Sequence, residues 1–388
     1  MNITSSCENG ILVVGLEGRL DSSNAPQIGP ELDDIFAKNA HTASIIDADK
    51  LEYISSAGLR VILRLRKGDA TLKIVNASVE VYDIFEMTGF NEMMPVEKAY
   101  RRLSVDGCPV IGKGAKGTVY RYNGDTVIKV YNDKGSLPDI INERKLARRA
   151  FVLGIPTAIS YDIVRVGESY GSVFELLDAQ SYSKLIISDP EHIDDYIAEY
   201  AANLRTIHST VVNGEDIPDI KTTLDEGLER VRKCLDDDAF NKLKKLVYGV
   251  PDRNTMLHND YHTNNVMRQN GEIMLIDMDR LAYGHPIFEL GNIHITYVVF
   301  GEVDPKMTED FLGLPYETAK YFWKKFLACY LGTDDEKRIA EVERKVSVLT
   351  YFRLIRHNVK RGEAGKAAVE YGKSKLLPLL ETVDTLDF

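Results

Sequence analysis

The sequence predicts a small α/β domain followed by a larger, two-lobed α+β domain, on three observations. Residues 1–98 alternate short apolar runs with stretches of helical spacing. The stretch 99–109 loses that periodicity and gathers Arg101, Arg102, Gly107 and Pro109, which marks a linker. From 110 to about 178 the pattern is rich in strand signals, and from about 179 to 388 helical periodicity dominates.

In the first domain, residues 11–16, 43–47 and 71–75 read as strands, and 30–40 and 57–67 as helices carrying Leu, Ile, Val and Phe at helical intervals. Strands separated by helices call for a mostly parallel sheet. In the second domain, residues 118–122 and 126–131 flank Asn123-Gly124-Asp125, the turn chemistry of a hairpin. A helix follows, with Pro138 near its start and Ile140, Ile141, Leu146 and Phe151 along it. A loop-and-strand section at 254–284 interrupts the helices of the second lobe. A chain of 388 residues exceeds one typical core, as this division requires.

Composition narrows the function. A net charge of -11 argues against nucleic acid as a partner, because phosphate backbones select basic surfaces. No run approaches the ~20 apolar residues of a membrane span. The start, MNITSSCENG, has neither the basic nor the apolar stretch of a signal peptide. Cys7, Cys108, Cys234 and Cys329 are scattered without metal-ligand spacing, so free thiols and a cytoplasmic location are expected.

The chemistry concentrates in three places. In Ile111-Gly112-Lys113-Gly114-Ala115-Lys116-Gly117-Thr118, the spacing of Gly112, Gly114 and Gly117 lets backbone approach a phosphate closely. A Walker A loop would end in Gly-Lys-Ser/Thr, which is absent, and a dinucleotide-binding turn would open a helix. A hairpin follows instead, which is the arrangement of a kinase lid over ATP; a ligand-free glycine turn is the plainer alternative. Next, Lys129 stands among β-branched residues on a strand, so its ammonium needs a partner. Nucleotide phosphates and Glu143, on the helix that follows, are the expected ones.

The third place is Leu257-His258-Asn259-Asp260-Tyr261-His262-Thr263-Asn264-Asn265, followed by Leu275-Ile276-Asp277-Met278-Asp279. Phosphoryl transfer needs a carboxylate to orient and deprotonate a hydroxyl, and oxygen ligands for Mg2+. Asp260 suits the first role, and Asn265 and Asp277 the second. A zinc site from His258, Asp260 and His262 is the rival, but it leaves Asn265 and Asp277 unexplained.

Residues 110–290 resemble the aminoglycoside phosphotransferase and choline kinase superfamily, whose loop reads His-Gly-Asp-x-His-x-x-Asn and whose metal strand reads Ile-Asp-Trp. The resemblance implies a bilobal protein-kinase-like fold, ATP and Mg2+ as cofactors, and a small hydroxylated molecule as acceptor. It assigns Asp260 to catalysis, Gly112, Gly114, Gly117, Lys129 and Glu143 to the nucleotide, Asn265 and Asp277 to the metal, and His258 and His262 to bracing the loop. Protein kinases carry Arg before the catalytic Asp and Asp-Phe-Gly at the metal strand; Asn259 and Met278 stand there instead, favouring the small-molecule branch. The chain departs from the family in Asn259, where it has Gly, and in Gly284-His285-Pro286 with Glu289, where it has Gly-Asp-Pro with a further Asp. Asp279 and Glu289 could face a cationic substrate, or brace loops.

In the first domain, Ser55 and Ser56 precede a helix that either could cap. A phosphate on Ser56 would lie at the positive helix end. With Gly18-Arg19-Leu20-Asp21 and Phe85-Glu86-Met87-Thr88-Gly89-Phe90, this region resembles the STAS domain of anti-sigma factor antagonists. There the loop reads Asp-Ser-Ser-Gly, against Ser55-Ser56-Ala57 here, and Ser56 matches the phosphoacceptor. The resemblance implies regulation, or docking of a protein partner. The alternative to a small-molecule kinase is a signalling kinase acting on protein serine, Ser56 included.

Overall fold

The computed structural model describes residues 1–114, 116–212 and 217–388, so Ala115 of the glycine loop lies outside the described residues. The chain forms two compact units: Met1–Ser104 with Ile163–Gly167, and Val105–Asp162 with Glu168–Phe388.

The first unit carries a five-stranded sheet in chain order, β1 (Asn2–Glu8), β2 (Ile11–Leu20), β3 (Ala43–Ile54), β4 (Lys73–Ala77) and β5 (Val96–Lys98). The pairs from β2 to β5 are parallel, as the alternation of strands and helices requires. β1 is an antiparallel addition the sequence reading lacked. Its hairpin turns on Asn9 and Gly10, with φ of 51° and 76°, the positive pair that a two-residue hairpin loop favours. Alternating Leu12, Val14, Leu16 and Leu20 are buried, so β2 runs beyond the expected residue 16.

Three helices of the unit, α1 (Ala25–Lys38), α2 (Ser56–Gly68) and α3 (Val79–Met87), flank the sheet strands in sequence; α4 (Phe90–Met93) is one turn. α1 begins before the expected residue 30, because Pro26 occupies its first turn and the buried face already includes Ala25 and Ile28. At α2 it is Ser55 that caps, its Oγ accepting from Gly58 N at 3.3 Å. Ser56 is the first helical residue and is exposed. Arg102–Leu103 (β6), within the expected linker, pairs in parallel with Arg165–Val166; two residues are too few to show periodicity.

In the second unit, β7 (Val110–Lys113), β8 (Gly117–Arg121) and β9 (Thr126–Tyr131) form antiparallel pairs, and β9 pairs antiparallel with a strand at Ser169–Glu175. Asn123 Oδ1 closes the β8–β9 turn, accepting from Asp125 N at 3.0 Å and Thr126 N at 2.8 Å. α5 (Leu137–Val152) buries Ile140, Glu143, Leu146, Ala147 and Ala150. The remainder is mainly helical, around a core that includes Tyr200, Tyr261, Tyr297, Phe322 and Phe326. A hairpin, Val266–Gln269 with Glu272–Leu275, interrupts these helices and turns on Asn270 and Gly271, with φ of 52° and 85°.

Gly58 gives a test of the packing of α2. A Cβ there would meet Leu20 O at 2.7 Å and Ile54 Cγ1 at 2.8 Å, whereas at Gly68 it would meet nothing within 4 Å. Gly58→Ala is expected to lower the unfolding free energy by about 1–3 kcal/mol in denaturant melts of the full chain. Gly68→Ala should leave it unchanged or raise it by up to about 1 kcal/mol.

Candidate active site

The hairpin at 266–275 brings the two expected metal ligands together. Its register pairs Val266 with Leu275, and one step further Ile276 N donates to Asn265 O at 3.0 Å. Asp277, the next residue, is thereby carried beside the end of the loop that holds Asn265. It sits at φ 63°, ψ 58°, a left-handed conformation uncommon outside glycine. Asn265 Nδ2 donates to Asp260 O at 3.0 Å, which commits its donor and leaves Oδ1 as the acceptor.

Lys129 joins the two lobes of this unit. Its Nζ lies 3.0 Å from Glu143 Oε1, 3.3 Å from Glu143 Oε2 and 2.9 Å from Asp277 Oδ1. Glu143 is on the buried face of α5, where an unpaired carboxylate would be costly; the Tyr131 hydroxyl also donates to it, at 2.9 Å. Burial opposes the charge on Lys129, but Asp277 and Glu143 outweigh it and hold its pKa above the ordinary value. Asp277 shows the converse: burial favours its neutral form, yet Lys129, with help from Lys116, holds its pKa below the usual carboxylate range.

The loop holding Asp260 is braced from several sides. Glu289, fully buried, accepts from His258 N at 3.0 Å and Asn259 N at 2.6 Å, and its Oε2 lies 2.8 Å from His208 Nε2. His258 Nε2 reaches Ile276 O at 3.2 Å, joining the loop to the strand before Asp277. The second predicted brace, His262, packs edge-on against Phe311 at 4.9 Å between centroids, and burial pulls its pKa to about 4. Tyr200 and Tyr261 exchange hydroxyl-to-carbonyl hydrogen bonds of 2.9 Å, anchoring the loop centre in the core. Asn259, the departure from glycine, has φ 63°. Asparagine tolerates that region better than other residues with a side chain, so the backbone shape survives the change.

The glycines divide. A Cβ on Gly117 would collide with Val130 O across the β8–β9 ladder, so this glycine is required by strand pairing. Gly112 and Gly114 meet no such obstacle, the nearest atoms being 3.7 and 3.9 Å away. Lys116, in the same loop, pairs with Asp279, whose Oδ1 is buried without a hydrogen-bond partner among the described residues. Among the described site residues, sequence reasoning missed Asn292, which donates to Asn259 Oδ1, and Arg280, whose Nη1 stands 3.6 Å from Asp260 Oδ1. A cation three residues past Asp277 was a signal available for the latter.

The glycine loop, Lys129, Glu143, the loop at 258–265 and Asp277 all fall within residues 107–315, which match the model of the phosphotransferase enzyme family (APH). The chain belongs to the phosphotransferase enzyme family. It is a kinase acting on hydroxyl groups. Residues 2–103 of this phosphotransferase match the STAS domain model. The same region is 35% identical over 100 residues to BtrV of Bordetella bronchiseptica, which carries the name of an anti-sigma factor antagonist; the match covers 25% of this chain and 85% of BtrV. Among solved structures, the phosphotransferase is similar to a thermostable mutant of aminoglycoside phosphotransferase APH(4)-Ia in ternary complex with AMP-PNP and hygromycin B, at 15% identity and a TM-score of 0.47, covering 72% of this chain and 94% of that one. It is also similar to the streptomycin–ATP–APH(2")-IIa ternary complex, at 15% identity and a TM-score of 0.45, covering 70% and 90%.

Glu289 tests the bracing. Glu289→Gln replaces an acceptor oxygen by a donor facing backbone donors, and is expected to lower stability by about 1–3 kcal/mol. Denaturant unfolding of the full chain measures this; an unchanged midpoint would contradict the bracing role.

Proposed function

We propose that the protein is an ATP- and Mg2+-dependent kinase that phosphorylates a hydroxyl of a small molecule. The observation that carries the reading is the meeting of Lys129, Glu143, Asp277, Asn265 and Asp260 in one place, from strand, helix, loop and hairpin. Lys129 and the backbone around Gly112 and Gly114 hold the nucleotide phosphates. Asp260 orients the acceptor hydroxyl and takes its proton as the oxygen bonds to the γ-phosphorus and the bond from that phosphorus to the β–γ bridging oxygen breaks.

The donor set fits Mg2+, which takes hard oxygen ligands and uses one or two carboxylates beside substrate phosphates. Asn265 Oδ1 is the committed acceptor of its amide, and Asp277 keeps Oδ2 outside its contact with Lys129. Bound there, the metal neutralises charge on the phosphate oxygens. Reducing, cytoplasmic surroundings suit the free cysteines; among the described residues no helix is long and apolar enough to cross a membrane.

The STAS domain serves regulation or docking of a protein partner in this reading. Ser55 carries the cap, leaving the exposed Ser56 hydroxyl at the helix start as the phosphoacceptor. That observation favours one second reading, in which the kinase phosphorylates Ser56 of its own chain.

One experiment separates them: ATP turnover against hydroxylated small molecules, with the intact mass of the protein followed in parallel. Turnover that needs an acceptor and drops about 10²- to 10⁴-fold in Asp260→Asn supports the small-molecule kinase. Undiminished turnover in that variant would sink it. An added phosphate on the protein, absent from Ser56→Ala and Asp260→Asn, supports the second reading.

A further inference from the structure

Two cations that no part of the nucleotide site uses act on the carboxylate proposed as the base, and further cations lie close to them. Arg280 approaches Asp260 directly, at 3.6 Å. From the helix Glu336–Asn358, Arg353 donates to Asn292 Oδ1, and Asn292 Nδ2 lies 3.3 Å from Asn259 O, one residue before Asp260. Arg356 follows one turn later on the same helix, then His357, and Lys360 just beyond its end. The group is mutually close: Arg353 and Arg356 each feel the charge of Arg280, and His357 feels Arg353, Arg356, Arg280 and Lys360.

Arg280 has the Asp260 carboxylate beside it, but among the described residues neither Arg353 nor Arg356 forms an ion pair with a carboxylate. Arg353 is spent on a neutral amide, and Arg356 lies over the Phe352 ring at 5.3 Å. Both side chains are half-buried, where an unpaired charge is unfavourable. Burial, with repulsion from Arg356 and Arg280, pulls the Arg353 pKa down to about 9. The helix C-terminus favours a cation in its last turn but does not ask for a cluster of them. Nor does composition ask for it, since the chain is acidic overall at -11.

Of the acidic residues that could have received a cationic acceptor, Glu289 is held by two backbone N–H groups and His208, and Asp279 gives one of its oxygens to Lys116. An amine-rich acceptor would meet like charge beside Asp260.

We propose that the acceptor is a small anion: a hydroxylated molecule bearing a carboxylate or a phosphate monoester, seated on Arg353 and Arg356 while its hydroxyl reaches Asp260. Guanidinium groups present paired donors that match both anions. The inference rests on the kinase reading above for the location of the acceptor, and it adds no chemical step.

Equilibrium titration of the full chain tests it without requiring turnover. The probes are four matched sets: hydroxylated monocarboxylates, sugar and polyol monophosphates, the neutral parent polyols, and amino sugars with choline. At least one anionic probe is expected to bind ten-fold or more tighter than its neutral parent. That preference should shrink at least ten-fold in Arg356→Gln and return in part in Arg356→Lys. The lysine variant guards against misfolding, with thermal unfolding of each protein as the check. Whether carboxylate or monophosphate members bind identifies which anion is used. Absence of any anionic preference, stronger binding of neutral or amine probes, or a preference untouched in both Arg356 variants would overturn the inference. Anion binding without phosphoryl transfer to any probe would instead count against the kinase reading.

Discussion

A single half-buried ammonium ties the elements of the phosphotransferase unit together. Lys129 arrives on a strand, Glu143 on the helix packed behind it, and Asp277 from the hairpin of the other lobe, all within 3.3 Å of one nitrogen. Desolvation works against the charges of Lys129 and Asp277 separately. Their mutual attraction outweighs it, which is why Lys129 is held above and Asp277 below their ordinary pKa values. In the proposed function, nucleotide phosphates meet an ammonium that these contacts have already positioned.

Around this triad the protein spends its polar groups on positioning backbone. Glu289 ties down two consecutive N–H groups of the loop that carries Asp260, and the Tyr200–Tyr261 exchange fixes the loop centre. The hairpin register then delivers Asp277 beside Asn265. Asn259 keeps the left-handed turn that glycine would provide, and adds a side-chain oxygen through which Asn292 and Arg353 connect to the loop. A change that looks neutral in sequence therefore links the loop to the cationic helix.

Much of this was legible from local patterns. The parallel sheet follows from alternating strands and helices, and the β8–β9 hairpin from Asn123-Gly124-Asp125. The spacing of Asp260, Asn265 and Asp277 announced a site whose members the hairpin does bring together. What escaped depends on distant pairing or on overlooked turns. Asn9-Gly10 and Asn270-Gly271 both encode tight hairpins, and the first implies the missed strand β1. Gly117 was expected at the nucleotide; that strand pairing against Val130 O also requires a glycine there is something no spacing rule reveals. Arg353 and Arg356 sit three apart on a long helix, like many solvated pairs; only the fold places Arg353 near Asp260 and both near Arg280.

The central claim is that Asp277 and Asn265 make nucleotide binding depend on Mg2+. Titrating ATP into the full chain, with Mg2+ and with the metal chelated, tests it most directly. The account predicts markedly tighter binding with Mg2+ in the wild type, and loss of that difference in Asp277→Asn. Equal affinity with and without Mg2+ in the wild type, or a metal effect that persists in Asp277→Asn, would contradict it.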